Sequence, residues 1–152
     1  MLTIKSLIKY SFIIYVIGVM HLSLDGISIP PKVTWIKYQL IPFHFVYDWY
    51  IEAASGSWFL LNSIKLTFYN YLLLLPQGFY LGLLFHVKSK RKALMLVFCT
   101  TLCIETSQLL LNITGFGYRT FNVNDLMVNT LGGITGYGGW LLFKKIRAGS
   151  AD

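Results

Sequence analysis

Residues 105–139 read ETSQLLLNITGFGYRTFNVNDLMVNTLGGITGYGG. The stretch opens at the end of one apolar run, interrupted by Glu105 and Gln108, and crosses a short polar link containing Gly115, Gly117 and Arg119. It then enters a second apolar run carrying Asn122, Asn124, Asp125 and Asn129, followed by clustered glycines. Two apolar runs joined by so short a link predict a helical hairpin. Ionisable groups inside hydrocarbon cost roughly 2.5 kcal/mol or more each, so they need partners and mark a candidate site. Helical periodicity puts Gln108 on the face of Glu105 and Asp125 on the face of Asn129. If the first run ends near Leu111 and the second begins near Val123, Glu105 and Asn129 lie at similar depth, about 9 Å from the helix ends. Antiparallel packing then gathers Glu105, Gln108, Asp125 and Asn129, and the Arg119 guanidinium folds back from its glycine-flanked link onto Glu105 or Asp125.

Working outward, the 152 residues are 55% hydrophobic and 12% charged, against the ~25% charged residues usual in soluble domains. With a mean hydropathy of +0.60, the composition predicts an all-α, polytopic integral membrane protein. Four apolar segments, 8–24, 66–85, 93–111 and 126–143, each approach the ~20 residues needed to cross a bilayer core. They form a single domain over 1–152, a small four-helix bundle. The net charge of +7 is a topology signal rather than a sign of nucleic acid. Lys5 and Lys9, the run Lys88-Ser89-Lys90-Arg91-Lys92, and Lys144, Lys145 and Arg147 all fall on one side of four crossings. The positive-inside rule makes that side cytoplasmic, with both termini. The first segment lacks a small-residue cleavage pattern after it and reads as a retained helix rather than a secretory signal.

The segment 25–63 interleaves Trp35, Tyr38, Phe43, Phe45, Tyr47, Trp49, Tyr50 and Trp58 with few charges. Such rings favour the headgroup zone, so this outer loop is expected to lie along or dip into the interface. Asn70, Pro76 and Gly78 mark the second segment, where Pro76 removes the hydrogen bond normally accepted by the Leu72 carbonyl. Gly132, Gly133 and Gly136 in the fourth allow close backbone approach to another helix, with Gly78 and Gly82 as a matching small face. Cys99 and Cys103 read as small core residues, and His21, His44 and His86 are scattered. No metal set, cofactor motif or phosphate-cradling loop is present in the sequence.

The ordered pieces Leu40-Ile41-Pro42-Phe43, Asn70-x5-Pro76-x-Gly78, Glu105-x2-Gln108 and Arg119-x-Phe121-Asn122-x2-Asp125-x3-Asn129-x2-Gly132-Gly133 resemble the VanZ-like membrane protein family. The resemblance implies a small multi-pass protein of the bacterial plasma membrane. The family's namesake is associated with resistance to the lipoglycopeptide teicoplanin without remodelling the peptidoglycan precursor, and no defined enzymatic mechanism accompanies it. Asn122 stands where the family often has Asp, which weakens any paired-carboxylate metal site, and Gln77 where it usually has an apolar residue.

Three readings of the polar cluster follow. It recognises an amphiphile, such as a lipid headgroup, a lipid-linked cell-wall intermediate or the lipoglycopeptide itself; it serves an integral-membrane enzyme with Glu105 or Asp125 as general base; or it pins the hairpin in a structural or assembly protein. The sequence leaves the oligomeric state open.

Overall fold

The structure, a computed structural model, describes residues 3–24, 27–32, 38–117 and 119–150. Those residues form five helices, α1 (Ile4–Ser23), α2 (His44–Ser55), α3 (Ser57–Leu83), α4 (Lys90–Ile113) and α5 (Val123–Gly149). Two short strands, β1 (Tyr38–Gln39) and β2 (Phe121–Asn122), pair in parallel. Among the described residues α1 and α4 are long and apolar enough to cross a membrane. α3 and α5 have 27 residues each, about 40 Å at 1.5 Å per residue, but glycines and amides lower their apolar character. Many of those residues are the ones that face the other helices.

Close backbone contact explains the glycines. A Cβ added to Gly132 would lie 1.8 Å from the Tyr71 carbonyl oxygen, one on Gly136 1.8 Å from that of Leu75, and one on Gly78 1.7 Å from that of Gly133. α3 and α5 therefore run parallel with their backbones touching along about two turns. On its other side α5 meets α4 antiparallel, Gly133 lying under Val97 and Asn129 beside Thr101. The buried apolar residues Leu74, Leu81, Val87, Ala93, Val97 and Tyr137 fill this three-helix seam, and the Tyr137 hydroxyl donates to the Val87 carbonyl at 2.9 Å.

α1 is held differently. Ser23 is its one buried residue among those described, and polar bonds fasten it. The Ser11 and Tyr80 hydroxyls pair at 2.9 Å, the Tyr15 hydroxyl donates to the Leu73 carbonyl at 2.8 Å, and Gln108 Nε2 donates to the Ser23 carbonyl at 2.9 Å. These contacts set α1 antiparallel to α3 and parallel to α4. Lys5 and Lys9, the segment 88–92, and Lys144, Lys145 and Arg147 consequently share one end of the bundle, while α2 and the β1–β2 pair cover the other. Ile14, Ile17, Met95 and Leu131 are each at least 60% exposed on the helix sides, a surface suited to acyl chains rather than water.

The predicted boundaries differ from those observed mainly at the second segment. α3 begins at Ser57, well before residue 66, because Gly56 (φ 136°) ends α2 and turns the chain straight into the next helix. The polar residues Asn62, Ser63 and Lys65 end the apolar run but not the helix. Segment 25–63 is thus no plain loop: it contains α2 and the first turns of α3, while Asp25 and Trp35 lie outside the described residues. A second difference concerns Cys99 and Cys103, which are exposed rather than in the core. The buried stripe of α4 is Ala93, Val97, Thr101, Glu105, Gln108 and Asn112, and the cysteines lie off that face.

Candidate functional site

The link after α4 does not leave the bundle; it descends beside the helix it has just left. Gly115, at φ 78°, makes the reversal, and an added Cβ there would come within 2.9 Å of the Lys32 carbonyl oxygen. The Lys32 amide donates to the Gly115 carbonyl at 2.9 Å and the Ser28 amide to that of Phe116 at 2.7 Å, so the outer segment is laced onto the turn. Asn112 Nδ2 then donates to the Arg119 carbonyl at 2.8 Å, and the Asn122 amide donates to Glu105 Oε2 at 2.9 Å. Glu105, 2% exposed, holds the descending link as an acceptor for a backbone N–H that would otherwise be unpaired at the start of α5. The Asn122 side chain caps that helix, its Oδ1 accepting from the Asn124 amide at 2.9 Å.

This descent changes the predicted register. α5 starts level with Glu105, eight residues below the end of α4, about 12 Å at 1.5 Å per residue. Asn129 therefore lies deeper than Glu105 and donates from Nδ2 to Thr101 Oγ1 at 3.2 Å, one turn further along α4. Equal depth presumed a link that stays outside the bundle.

All five predicted polar residues, Glu105, Gln108, Arg119, Asp125 and Asn129, line one cavity of about 820 Å³. Asp125 accepts from Asn122 Nδ2 at 3.2 Å and lines the cavity together with Asn70. The Arg119 guanidinium interacts electrostatically with Glu105 and Asp125, but the ion pair within 4 Å found among the described residues is His44–Asp48, at 3.0 Å. Arg119 shares the cavity with the carboxylates without closing onto either. Gln108 is committed to the Ser23 carbonyl and so ties α1 to the site. Asn129 Oδ1 and Ser23 Oγ are buried with no partner among the described residues.

Apolar side chains line the same cavity: Val19, Leu66, Leu73, Pro76, Ile104 and Val128. A chamber lined by both amide or charged groups and aliphatic groups suits a molecule with a polar head and an apolar body. Among the described residues no group of three or more His, Cys, Asp or Glu is placed to hold a metal.

Sequence reasoning missed the contribution of the outer segment. Gln39 and Asp48 line the cavity. Asn124, 4% exposed, binds that segment from beneath, donating to the Ile41 carbonyl and accepting from the His44 amide, both at 3.2 Å. One signal was present: His44 and Asp48 stand four apart in an otherwise aromatic stretch, a helical spacing that pairs them. No comparable signal marks Gln39, which reaches the site through the β1–β2 pairing.

A protein-family model described as VanZ/LLP1 matches residues 12–144, spanning α1 through most of α5. Neither a curated protein nor a solved structure matches the chain.

Proposed function

Because the chain belongs to the VanZ/LLP1 family, we propose that it is a non-enzymatic bacterial plasma-membrane protein that receives an amphiphile in its polar-and-apolar cavity. In this reading α1, α3, α4 and α5 all cross the bilayer, both termini face the cytoplasm, and the cavity opens toward the outer leaflet. The observation that carries it is the mixed polar and apolar lining. Asp125, Asn129 and Arg119 share with Leu73, Pro76 and Val128 a cavity of about 820 Å³, a volume of the size that holds small-molecule ligands. The shared end of the three basic segments supports the orientation, and the alternating direction of the four long helices supports four crossings.

The resemblance that runs through the chain adds an expected outcome, a contribution to teicoplanin resistance through this cavity. Expression in a susceptible Gram-positive host tests it: inhibitory concentrations should rise for teicoplanin and stay unchanged for vancomycin. An unaltered teicoplanin response contradicts the resistance role. Binding is favoured over catalysis because Glu105 and Asp125 each hold a hydrogen bond from Asn122, a use that suits positioning the link better than abstracting a proton. Turnover of a lipid-linked substrate by the purified protein, lost in Glu105→Gln, would reverse that preference.

A further inference from the structure

The cavity carries a specific charge imbalance. Among the described residues that line it, Asp48, Glu105 and Asp125 meet one cationic side chain, the guanidinium of Arg119, and the Asp48 carboxylate has His44 at 3.0 Å. Glu105 and Asp125 thus share one cation that neither contacts directly. Beside them Asn129, 2% exposed, also lines the cavity; its Oδ1 is buried with no donor among the described residues, its Nδ2 being taken by Thr101. A buried acceptor without a donor costs stability until one arrives, and a cation placed beside buried carboxylates favours their charged form. Both deficits are relieved by an N–H-bearing ammonium.

We propose that the amphiphile accepted by this cavity bears a primary ammonium next to an anionic group. The ammonium is placed among Glu105, Asp125 and Asn129, the anionic group at Arg119, and the apolar chain along Leu73, Val128 and Ile104. The inference rests on the amphiphile-binding reading and narrows its ligand class. Arg119 is the complement rather than the centre: it orients the phosphate or carboxylate by its planar donors, while the acceptor-rich remainder selects the amine. An aminophospholipid and an amine-bearing amphiphile lacking phosphate both have the ammonium chemistry.

Native mass spectrometry of the full chain in detergent tests this with dihexanoyl phosphatidylethanolamine, phosphatidylcholine and phosphatidylglycerol, and with dodecylamine. Phosphatidylethanolamine should bind about tenfold more tightly than phosphatidylglycerol, which has no amine, and than phosphatidylcholine, whose quaternary cation offers no N–H. Dodecylamine bound more weakly than phosphatidylethanolamine assigns the source to an aminophospholipid; dodecylamine bound equally well supports the ammonium site but removes the role of Arg119. Asp125→Asn should reduce the preference over phosphatidylglycerol by about threefold or more, and Asn129→Leu should narrow the gap to phosphatidylcholine. Should either variant fold poorly, the ranking of the three lipids on the unaltered protein decides alone. Phosphatidylglycerol bound as tightly as phosphatidylethanolamine, or no ranking among the three, overturns the ammonium proposal while leaving amphiphile binding intact. Failure of all four compounds to bind overturns both.

Discussion

Glu105 and Asn129 divide the labour of the site, and substituting them separates folding from recognition. Glu105 holds the Asn122 amide at the start of α5, so Glu105→Ala strands a buried N–H and should lower the folded yield, the melting temperature and ligand binding together. The loss is about 1–3 kcal/mol for an orphaned buried donor. Glu105→Gln keeps an acceptor oxygen and should restore most of the yield. Asn129→Ala loses one hydrogen bond to Thr101, about 1 kcal/mol, and should reduce binding more than stability. Size-exclusion yield and thermal unfolding in detergent, read beside lipid binding, check the contrast. Parallel loss of yield and binding in both alanine variants would assign the cluster a purely structural role.

At the scale of elements, the α3–α5 contact is the least forgiving. Gly136→Leu would drive a side chain into the Leu75 carbonyl, where even a Cβ comes within 1.8 Å. We expect a loss of roughly 3 kcal/mol or more, seen as aggregation or a sharply lower melting temperature. Gly138→Ala, on the same helix with open space around it, should be tolerated. These glycines were legible in the sequence because close helix packing needs small residues at a four-residue period. The α4–α5 hairpin was equally legible, since apolar runs with embedded amides leave few alternatives. Its register was not. Whether a nine-residue link arches over the bundle or descends into it depends on pairings distant in sequence, Lys32 with Gly115 and Tyr38 with Phe121, which no local pattern encodes. The start of α3 was missed for a related reason: an apolar window measures the depth of hydrocarbon a helix crosses, not the length of the helix. The exposed cysteines were misplaced because buried polar residues, Thr101, Glu105 and Gln108, occupy the inner face of α4 that apolarity alone would have given to them.

For the whole molecule, four alternating helices place the basic residues at one end and the polar chamber toward the other, and under the proposed four crossings the positive-inside rule puts the basic end in the cytoplasm. In intact cells of a variant with Cys99 and Cys103 replaced by alanine, a single cysteine at Thr114 should react with a membrane-impermeant thiol reagent, whereas one at Ser89 should react only after permeabilisation. The reverse pattern would place the chamber toward the cytosol and remove an outer-leaflet ligand from consideration. α1, whose one buried residue among those described is Ser23, is held to its neighbours through Ser11, Tyr15 and Ser23. The chamber is proposed to receive an acyl-bearing molecule. Photo-crosslinking with a phosphatidylethanolamine carrying a diazirine in its acyl chain, mapped by peptide mass spectrometry, tests it most directly. The account predicts adducts on Leu73, Ile104 and Val128 that unlabelled lipid competes away. Adducts confined to the outward-facing Ile14, Ile17, Met95 and Leu131, and insensitive to competitor, would contradict it.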